Sequence, residues 1–326
     1  MLLVGDIGGT HARLSLLNPK GRPVERQVFE SRKFASLEAV VRDFLGSPVP
    51  RISAAAFGIA GPVVNGRCMA TNLAWVVDAR VLMRKLRIRR VTLLNDLVAL
   101  SLGAVGLPPR KLHVLGNAGA PKKKGANVAV IAAGTGLGEA LLVWDGSRLV
   151  PIATEGGHCD LAPRDDLEVG LLQFLRGRFG HVSWERVLSG AGLGNLYDFF
   201  NQGQGVPESD ETAKAIAEAP DRNAAIAQLG AAGKSEVASR AVDLFASLYG
   251  AESGNLALKA LAIGGVFVCG NIAARMLPVL ERGGFHRAFV DKGRFTPLLE
   301  RVPVAVVLDG DVGLVGAARV ALETAG

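Results

Sequence analysis

Three short clusters hold the side chains best able to do chemistry. Asp6 sits in GDIGGTHARLSLL (Gly5 to Leu17), Asn95 and Asp96 follow the apolar run VTLL, and TEGGHCD (Thr154 to Asp160) sets Glu155 and His158 around two glycines. A carboxylate at a strand end, directly before a glycine turn, can orient a magnesium ion through water beside a triphosphate. The same Asp6 could instead be a turn residue bonding its own backbone. Asn95 and Asp96 open a helical pattern, where both residue types are ordinary N-caps. The carboxyl end of a strand is also where α/β folds place ligand contacts. A carboxylate at a helix start is stabilised by the helix dipole, which lowers its basicity. That suits phosphoryl transfer, whose loose transition state asks for positioning and charge neutralisation more than deprotonation. Glu155 and His158 offer an acceptor and a donor converging on one small polar ligand. Taken singly, the Glu reads as solvated and the His as structural. HVSWERVLSG adds Glu185, alone a surface residue, with Ser183 placed to cap a short helix.

The turn Gly8-Gly9-Thr10 has a counterpart in AAGTGLGEALLVW (Ala132 to Trp144), where Gly134-Thr135-Gly136 again separates two apolar runs. Each reads as a β-hairpin whose tight turn lets backbone N–H groups lie against a ligand. Such concavities bind anions, and two in one chain suggest a duplicated core holding a phosphate-bearing ligand. Thr10 offers a hydroxyl, and Arg13 reads equally as a solvated edge residue. GGVFVCGN (Gly264 to Asn271) is a glycine-bounded strand that either supports a nucleotide's adenosine part or marks a close strand–helix crossing.

These clusters need elements to position them. The 326 residues are 49% hydrophobic with 41 glycines and 6% aromatic, an α/β composition with room for two domains. Strand patterns fall at Leu2–Gly5, Ala12–Leu17, Ile52–Gly58 and Val91–Leu94, with helices at Leu37–Leu45, Ala79–Leu86 and from Asn95 towards Val105. GLPPRK (Gly106 to Lys111) is the expected hinge. A second unit begins near Leu112, with strands at Val128–Ala132, Ala140–Trp144, Leu149–Ile152, Ala262–Cys269 and Val302–Leu308. Between them, helices dominate from Asp166 to Lys259, and Asn201–Pro207 reads as a surface loop. The terminal helical stretch is expected to cross back and pack on the first domain. That gives a small α/β domain of residues 1–107 plus 308–326, a large one of 108–307, and an interlobe cleft.

Cys68, Cys159 and Cys269 never form a C-x-x-C pair, which fits a reducing cytoplasm and argues against structural zinc; all three read as small buried hydrophobes. The start MLLVGD reads as a first strand rather than a signal peptide, and no apolar run reaches membrane-span length. The net charge of +7 is dispersed, with PKKKG (Pro121 to Gly125) reading as a solvated loop. It fits a field attracting anionic substrates better than a nucleic-acid site.

In order along nearly the whole chain, GDIGGTHARL, MATNLAW, NDLVALSLG, AGTGLG, EGGHCDLAP, HVSWERVLSG, GNLAL, GGVFVCGN, DKGRF and GLVGAA resemble the bacterial glucokinases. The likeness is to the non-ROK, zinc-free group of the hexokinase, actin and Hsp70 superfamily. It implies a two-lobed actin-like ATPase (ribonuclease H-like) fold and ATP-dependent phosphorylation of glucose at its 6-hydroxyl. By the same resemblance Asp96 is the general base, and Asn72, Asn95, Asp96, Glu155, His158 and Glu185 bind the sugar. Asp6, Gly8, Gly9, Thr10, Gly134, Thr135, Gly136, Gly264, Gly265 and Gly270 serve ATP and Mg2+, and the assembly is a cytoplasmic homodimer. ROK kinases carry a clustered-cysteine zinc motif that this sequence lacks. Three residues depart from the pattern: His11 stands where Asn is usual, Asn271 where a second Gly is common, and Glu139 places an unexpected charge, expected to face solvent, just after GTGLG. Asn271 would be tolerated there through its ease in left-handed backbone.

Overall fold

The computed structural model describes residues 1–71, 73–121 and 124–325. The chain separates into two compact units, one of Met1–Pro108, Pro151–Ala153 and Asp309–Gly326, the other of Pro109–Val150 and Thr154–Leu308. The first boundary falls inside the GLPPRK segment.

In the first unit the strands are β1 (Leu2–Ile7), β2 (His11–Leu17), β3 (Pro23–Glu30), β4 (Ala54–Ile59), β5 (Val63–Val64), β6 (Arg67–Met69), β7 (Val76–Asp78) and β8 (Val91–Asn95). Its main sheet has the order β3-β2-β1-β4-β8, and β5-β6-β7 form a small separate sheet. β1 runs antiparallel to β2 and parallel to β4, which is parallel to β8. β4, AAAFGI, is buried throughout, as the continuous apolar run of a central parallel strand requires. β3, PVERQVFE, escapes a pattern search because all but Phe29 face solvent; an edge strand can be held by backbone pairing alone. Helices α1 (Leu37–Leu45) and α2 (Ala79–Leu86) start where Ser36 and Asp78 accept bonds from the first-turn N–H groups.

The second unit contains β9 (Leu112–Leu115), β10 (Val128–Ala133), β11 (Leu137–Trp144), the start of β12 (Leu149–Ala153), β13 (Gly265–Cys269) and β14 (Val304–Val307). Their order is β12-β11-β10-β13-β14-β9. β10 is antiparallel to β11 and parallel to β13, repeating the arrangement of β2, β1 and β4. Between β12 and β13 run α4 (Asp166–Phe179), α5 (Gly190–Asp198), α6 (Asp210–Glu218), α7 (Arg222–Ala231) and α8 (Glu236–Ala260). α3 (Asp96–Ala104) precedes them in the first unit; α9 (Asn271–Arg275), α10 (Leu277–Leu280), α11 (Gly284–Val290) and α12 (Thr296–Leu299) follow β13. A five-residue π-helical turn, Phe199–Gly203, occupies the start of the expected loop, because Phe199 and Phe200 are buried in the core.

α13 (Val312–Ala325) lies in the first unit, as its apolar stripe predicts: Leu314, Ala317 and Ala321 pack on Leu2, Val4, Ala54 and Ala56 of β1 and β4. It also meets α3 backbone to backbone. A Cβ on Gly316 would stand 1.7 Å from the Ala99 carbonyl oxygen, and one on Gly103 1.9 Å from that of Val312.

Two sequence expectations fail here. Cys68 and Cys269 are buried but Cys159 is exposed, because it follows a surface turn rather than ending a strand. Left-handed backbone is not needed at Asn271, the first residue of α9; the positive φ of +92° belongs to Gly270. Lys122 and Lys123 of the basic run lie outside the described residues.

Candidate active site

In the first unit, the parallel strands β1, β4 and β8 end on one sheet edge. The register aligns Asp6 with Gly58, and Gly58 with Leu94, the residue before Asn95. At about 4.8 Å per strand, roughly 10 Å separates the backbones at Asp6 and Leu94, so Asp6 and the Asn95-Asp96 pair share one rim.

Asn95 is the N-cap of α3. Its amide oxygen accepts from Leu97 N (3.0 Å) and Val98 N (3.3 Å), while Nδ2 donates to the Gly61 carbonyl (3.1 Å). The capping reading of Asn95 is therefore correct, and a sugar contact would have to use what these bonds leave over. Asp96 opens α3 with Oδ1 accepting from Leu97 N (2.9 Å). This ties the carboxylate to the amino end of the helix, where the dipole favours negative charge. Asn72 lies outside the described residues.

Asp6 faces Arg13 across the hairpin, with Arg13 Nη1 donating to Oδ2 at 3.2 Å, so Arg13 is not a free edge residue. Its carboxyl also lies at the start of α13, 3.2 Å from where a Cβ on Gly313 would stand. Burial pushes this carboxyl above the usual range; Arg13 opposes the shift and Asp311 adds to it. A desolvated carboxylate of this kind gains from a neighbouring cation. Among the described residues no group of three or more His, Cys, Asp or Glu gathers to hold a metal. One carboxylate fits a magnesium ion that keeps its waters and takes its other ligands from phosphates. The turn Gly8-Gly9-Thr10 is closed by Gly8 N donating to the His11 carbonyl (2.9 Å), and braced by Ser31, whose hydroxyl donates to the Gly8 carbonyl (2.7 Å).

In the second unit, the turn Gly134-Thr135-Gly136 joins β10 to β11. Gly134 N donates to the Gly136 carbonyl (2.8 Å) and Gly190 N to that of Gly134 (2.9 Å). Tyr249 of α8 fixes its base. The buried Tyr249 hydroxyl accepts from Ala133 N (3.1 Å), and burial pushes its pKa up far enough that it keeps its proton and donates to the neighbouring Ile131 and Cys269 carbonyls.

The two motif segments after β12 pair through their backbones. Trp184 N donates to the Cys159 carbonyl and Leu161 N to that of Val182, both at 3.0 Å. His158 Nδ1 and Glu185 Oε1 thereby come within 4.0 Å of each other. Glu185 also does something its sequence context did not show: Oε2 accepts from Leu137 N (2.9 Å), at the exit of the second glycine turn. Glu185 is thus tied to both the phosphate-type turn and the His158 segment. Glu155 is exposed, and its carbonyl accepts from His158 N (3.0 Å). Ser183 precedes the short helical turn without capping it; Ser189, bonded to Gly192 N, caps α5 instead.

Gly264 and Gly265 lie apart from the second glycine turn. Both stand at the amino end of β13, beside Asn127 and Val128. At about 3.3 Å per residue, the strand puts them roughly 15 Å or more from the Gly134 turn. A Cβ on Gly264 would meet the Asn127 carbonyl at 2.7 Å and one on Gly265 the Pro121 ring at 2.8 Å, so they permit close packing. Gly270 is different: it ends β13 beside Gly134, and its Cβ would stand 2.4 Å from the Ala133 carbonyl. Glu139 is likewise not a solvent-facing residue but is buried, 1% exposed.

Two units with matching strand–turn–strand motifs, one carrying an acid at a helix start and the other a polar Glu–His turn, define a sugar kinase. A solved glucokinase from an Antarctic psychrotroph superimposes with a TM-score of 0.83 at 32% identity, covering 99% of this chain and 98% of that one. A ROK family glucokinase from Streptomyces griseus, solved with glucose and AMPPNP, shares the fold at a TM-score of 0.67 and 20% identity, over 99% of both chains. The glucokinase of Synechocystis sp. (strain ATCC 27184 / PCC 6803 / Kazusa) is 38% identical over 350 residues, covering 99% of this chain and 98% of its own. The Glucokinase family model matches residues 3–324, and the chain belongs to the glucokinase family.

Proposed function

We propose that the protein transfers the terminal phosphoryl group of ATP to the 6-hydroxyl of glucose, giving glucose 6-phosphate and ADP. The observation that carries this reading is the Glu185 bridge, which ties a hydroxyl-binding Glu–His pair to a phosphate-type glycine turn through one carboxylate. The two units are the lobes of an actin-like ATPase fold. Glu155, His158 and Glu185 bind sugar hydroxyls, and Asn95 with Asn72 completes the set from the first unit. Asp96 aligns the 6-hydroxyl and takes its proton as oxygen attacks phosphorus in line and the bond to the ADP oxygen breaks. The turns Gly8-Gly9-Thr10 and Gly134-Thr135-Gly136 hold phosphate oxygens with their N–H groups, and Gly270 lies where the nucleotide passes β13. Magnesium, held through Asp6, neutralises phosphate charge when bound. Excluding water from the closed site protects the phosphoryl group from hydrolysis. The protein works in the cytoplasm as a homodimer.

Polar ligands to several hydroxyls should reject epimers, because a misplaced hydroxyl leaves a buried partner unpaired. Steady-state assays of glucose against mannose, galactose and glucosamine, each with ATP, ADP and polyphosphate as donors, should give the highest kcat/KM for glucose with ATP. Nucleotide hydrolysis indifferent to every sugar would overturn the reading.

Gly136→Ala tests the bridge. The new Cβ would sit 2.4 Å from Glu185 Oε2, so the carboxylate must leave Leu137 N. Losing a charge-assisted hydrogen bond costs about 1.5–3 kcal/mol, so the glucose and ATP KM values should both rise roughly 10- to 100-fold. Unchanged KM values, with the fold intact by circular dichroism, would mean that the bridge does not matter.

A further inference from the structure

Beneath the turn that carries Glu155 and His158 lies a buried acid pair that the reaction does not use. Glu139 projects from β11, opposite Ile131 of β10. Its Oε2 lies only 2.1 Å from where a Cβ on Gly156 would stand, so the carboxyl rests directly against that glycine. The Glu139 backbone holds the same turn: its carbonyl accepts from Thr154 Oγ1 (2.9 Å), which in turn accepts from Gly156 N (3.2 Å). Glu139 Oε1 is buried with no hydrogen-bond partner. On its far side is Glu252 of α8, 0% exposed, accepting from Lys259 Nζ (3.1 Å) and Asn255 Nδ2 (2.8 Å).

Two carboxyls buried side by side cannot both ionise cheaply. Asn255 and Lys259 both bond Glu252, so of the two carboxyls Glu139 is the one that burial keeps protonated. Burial first, and the Glu252 charge second, push Glu139 up to about 7. Lys259 opposes that shift from α8, Lys292 lies within range of Glu252, and the neutral Tyr249 and Cys269 complete the buried surroundings. The turn itself contributes His158 and Cys159, and Glu185 grips the start of β11. β10 and β12 carry no titratable side chain.

We propose that Glu139 is a positioning residue for the sugar site, its neutral carboxyl seating the Gly156-Gly157 turn and losing that seat when its proton leaves. The proposal rests on the reading of Glu155 and His158 as sugar ligands. Ionisation puts a second negative charge into one pocket beside Glu252, and the group pressed against Glu139 Oε2 is Gly156. Because the carboxyl binds its proton more tightly folded than unfolded, its contribution to stability is lost as pH rises from the ordinary Glu range through about 7.

The test compares the wild-type enzyme with Glu139→Gln, which stays neutral and can donate an amide hydrogen to Glu252. From about pH 6 to about pH 8.5 the wild-type glucose KM should rise roughly fivefold or more relative to the variant, the low end of typical site coupling. The ATP KM should run parallel in the two proteins. Every other group near the turn is common to both proteins, so only the difference between them counts. Amide-exchange protection at Gly156–His158 should fall over the same range in wild type only, and Glu252→Gln should move that fall to lower pH, because the adjacent negative charge that helps Glu139 keep its proton is gone. Superimposable KM profiles and protection factors in wild type and Glu139→Gln would overturn the proposal. Failure to phosphorylate glucose would sink the sugar reading instead, and the exchange comparison would still decide whether the proton holds the turn.

Discussion

Asp96→Asn should lower kcat by roughly 10²- to 10⁴-fold, the range of general-base contributions, while glucose binding by calorimetry stays close to wild type. The substitution is nearly isosteric, and the residue before it already supplies the cap: Asn95 bonds Leu97 N and Val98 N whatever stands at 96. The α3 start and its rim position should therefore survive. An amide oxygen can still accept a hydrogen bond from the 6-hydroxyl, so orientation is largely kept, but it cannot take the proton. The loss should not reach the millionfold scale, because a loose transition state draws most of its stabilisation from phosphate positioning and charge neutralisation. Turnover equal to wild type would remove Asp96 from the role of base. Lost sugar binding would make it a ligand first.

Gly316→Ala should cost about 3 kcal/mol or more, above the usual range for a surface helix and typical of severe overpacking. The added Cβ would stand 1.7 Å from the Ala99 oxygen, 2.6 Å from its carbon and 2.9 Å from Gly103 N, all backbone atoms that cannot rotate away. Moving α13 off α3 would in turn pull Leu314, Ala317 and Ala321 from β1 and β4. For 326 residues the Tm should fall by roughly 4–5 °C or more. Gly310→Ala, with nothing within 4 Å of its added Cβ, is the control and should leave Tm unchanged. The same shift would move Asp96, the first residue of α3. A wild-type Tm in Gly316→Ala would show that the helix crossing is looser than drawn.

The legible parts of this protein were those written in local pattern. α1 and α2 begin and end where their caps and periodicity place them, and the central strands read as uninterrupted apolar runs. Both glycine turns and the Asn95 cap were equally visible, since each depends on neighbours within a few residues. β3 was not, because an exposed edge strand needs no apolar alternation. Glu139 could have been found: a period of two sets it on the same face as Leu137. Its charge argued for solvent, and only the packing of α8 and the Gly156 turn against that face decides otherwise.

The sequence by itself determined the family and the order of the central strands and capped helices, because those follow from residue type and short spacing. Tertiary structure alone decided which residues touch. It moved Gly264 and Gly265 to the far end of their strand, gave Glu185 a grip on Leu137 N, and buried a carboxyl beneath Gly156. Contacts between residues 48 or more than 100 positions apart depend on strand direction and helix packing, which no local run of residues encodes.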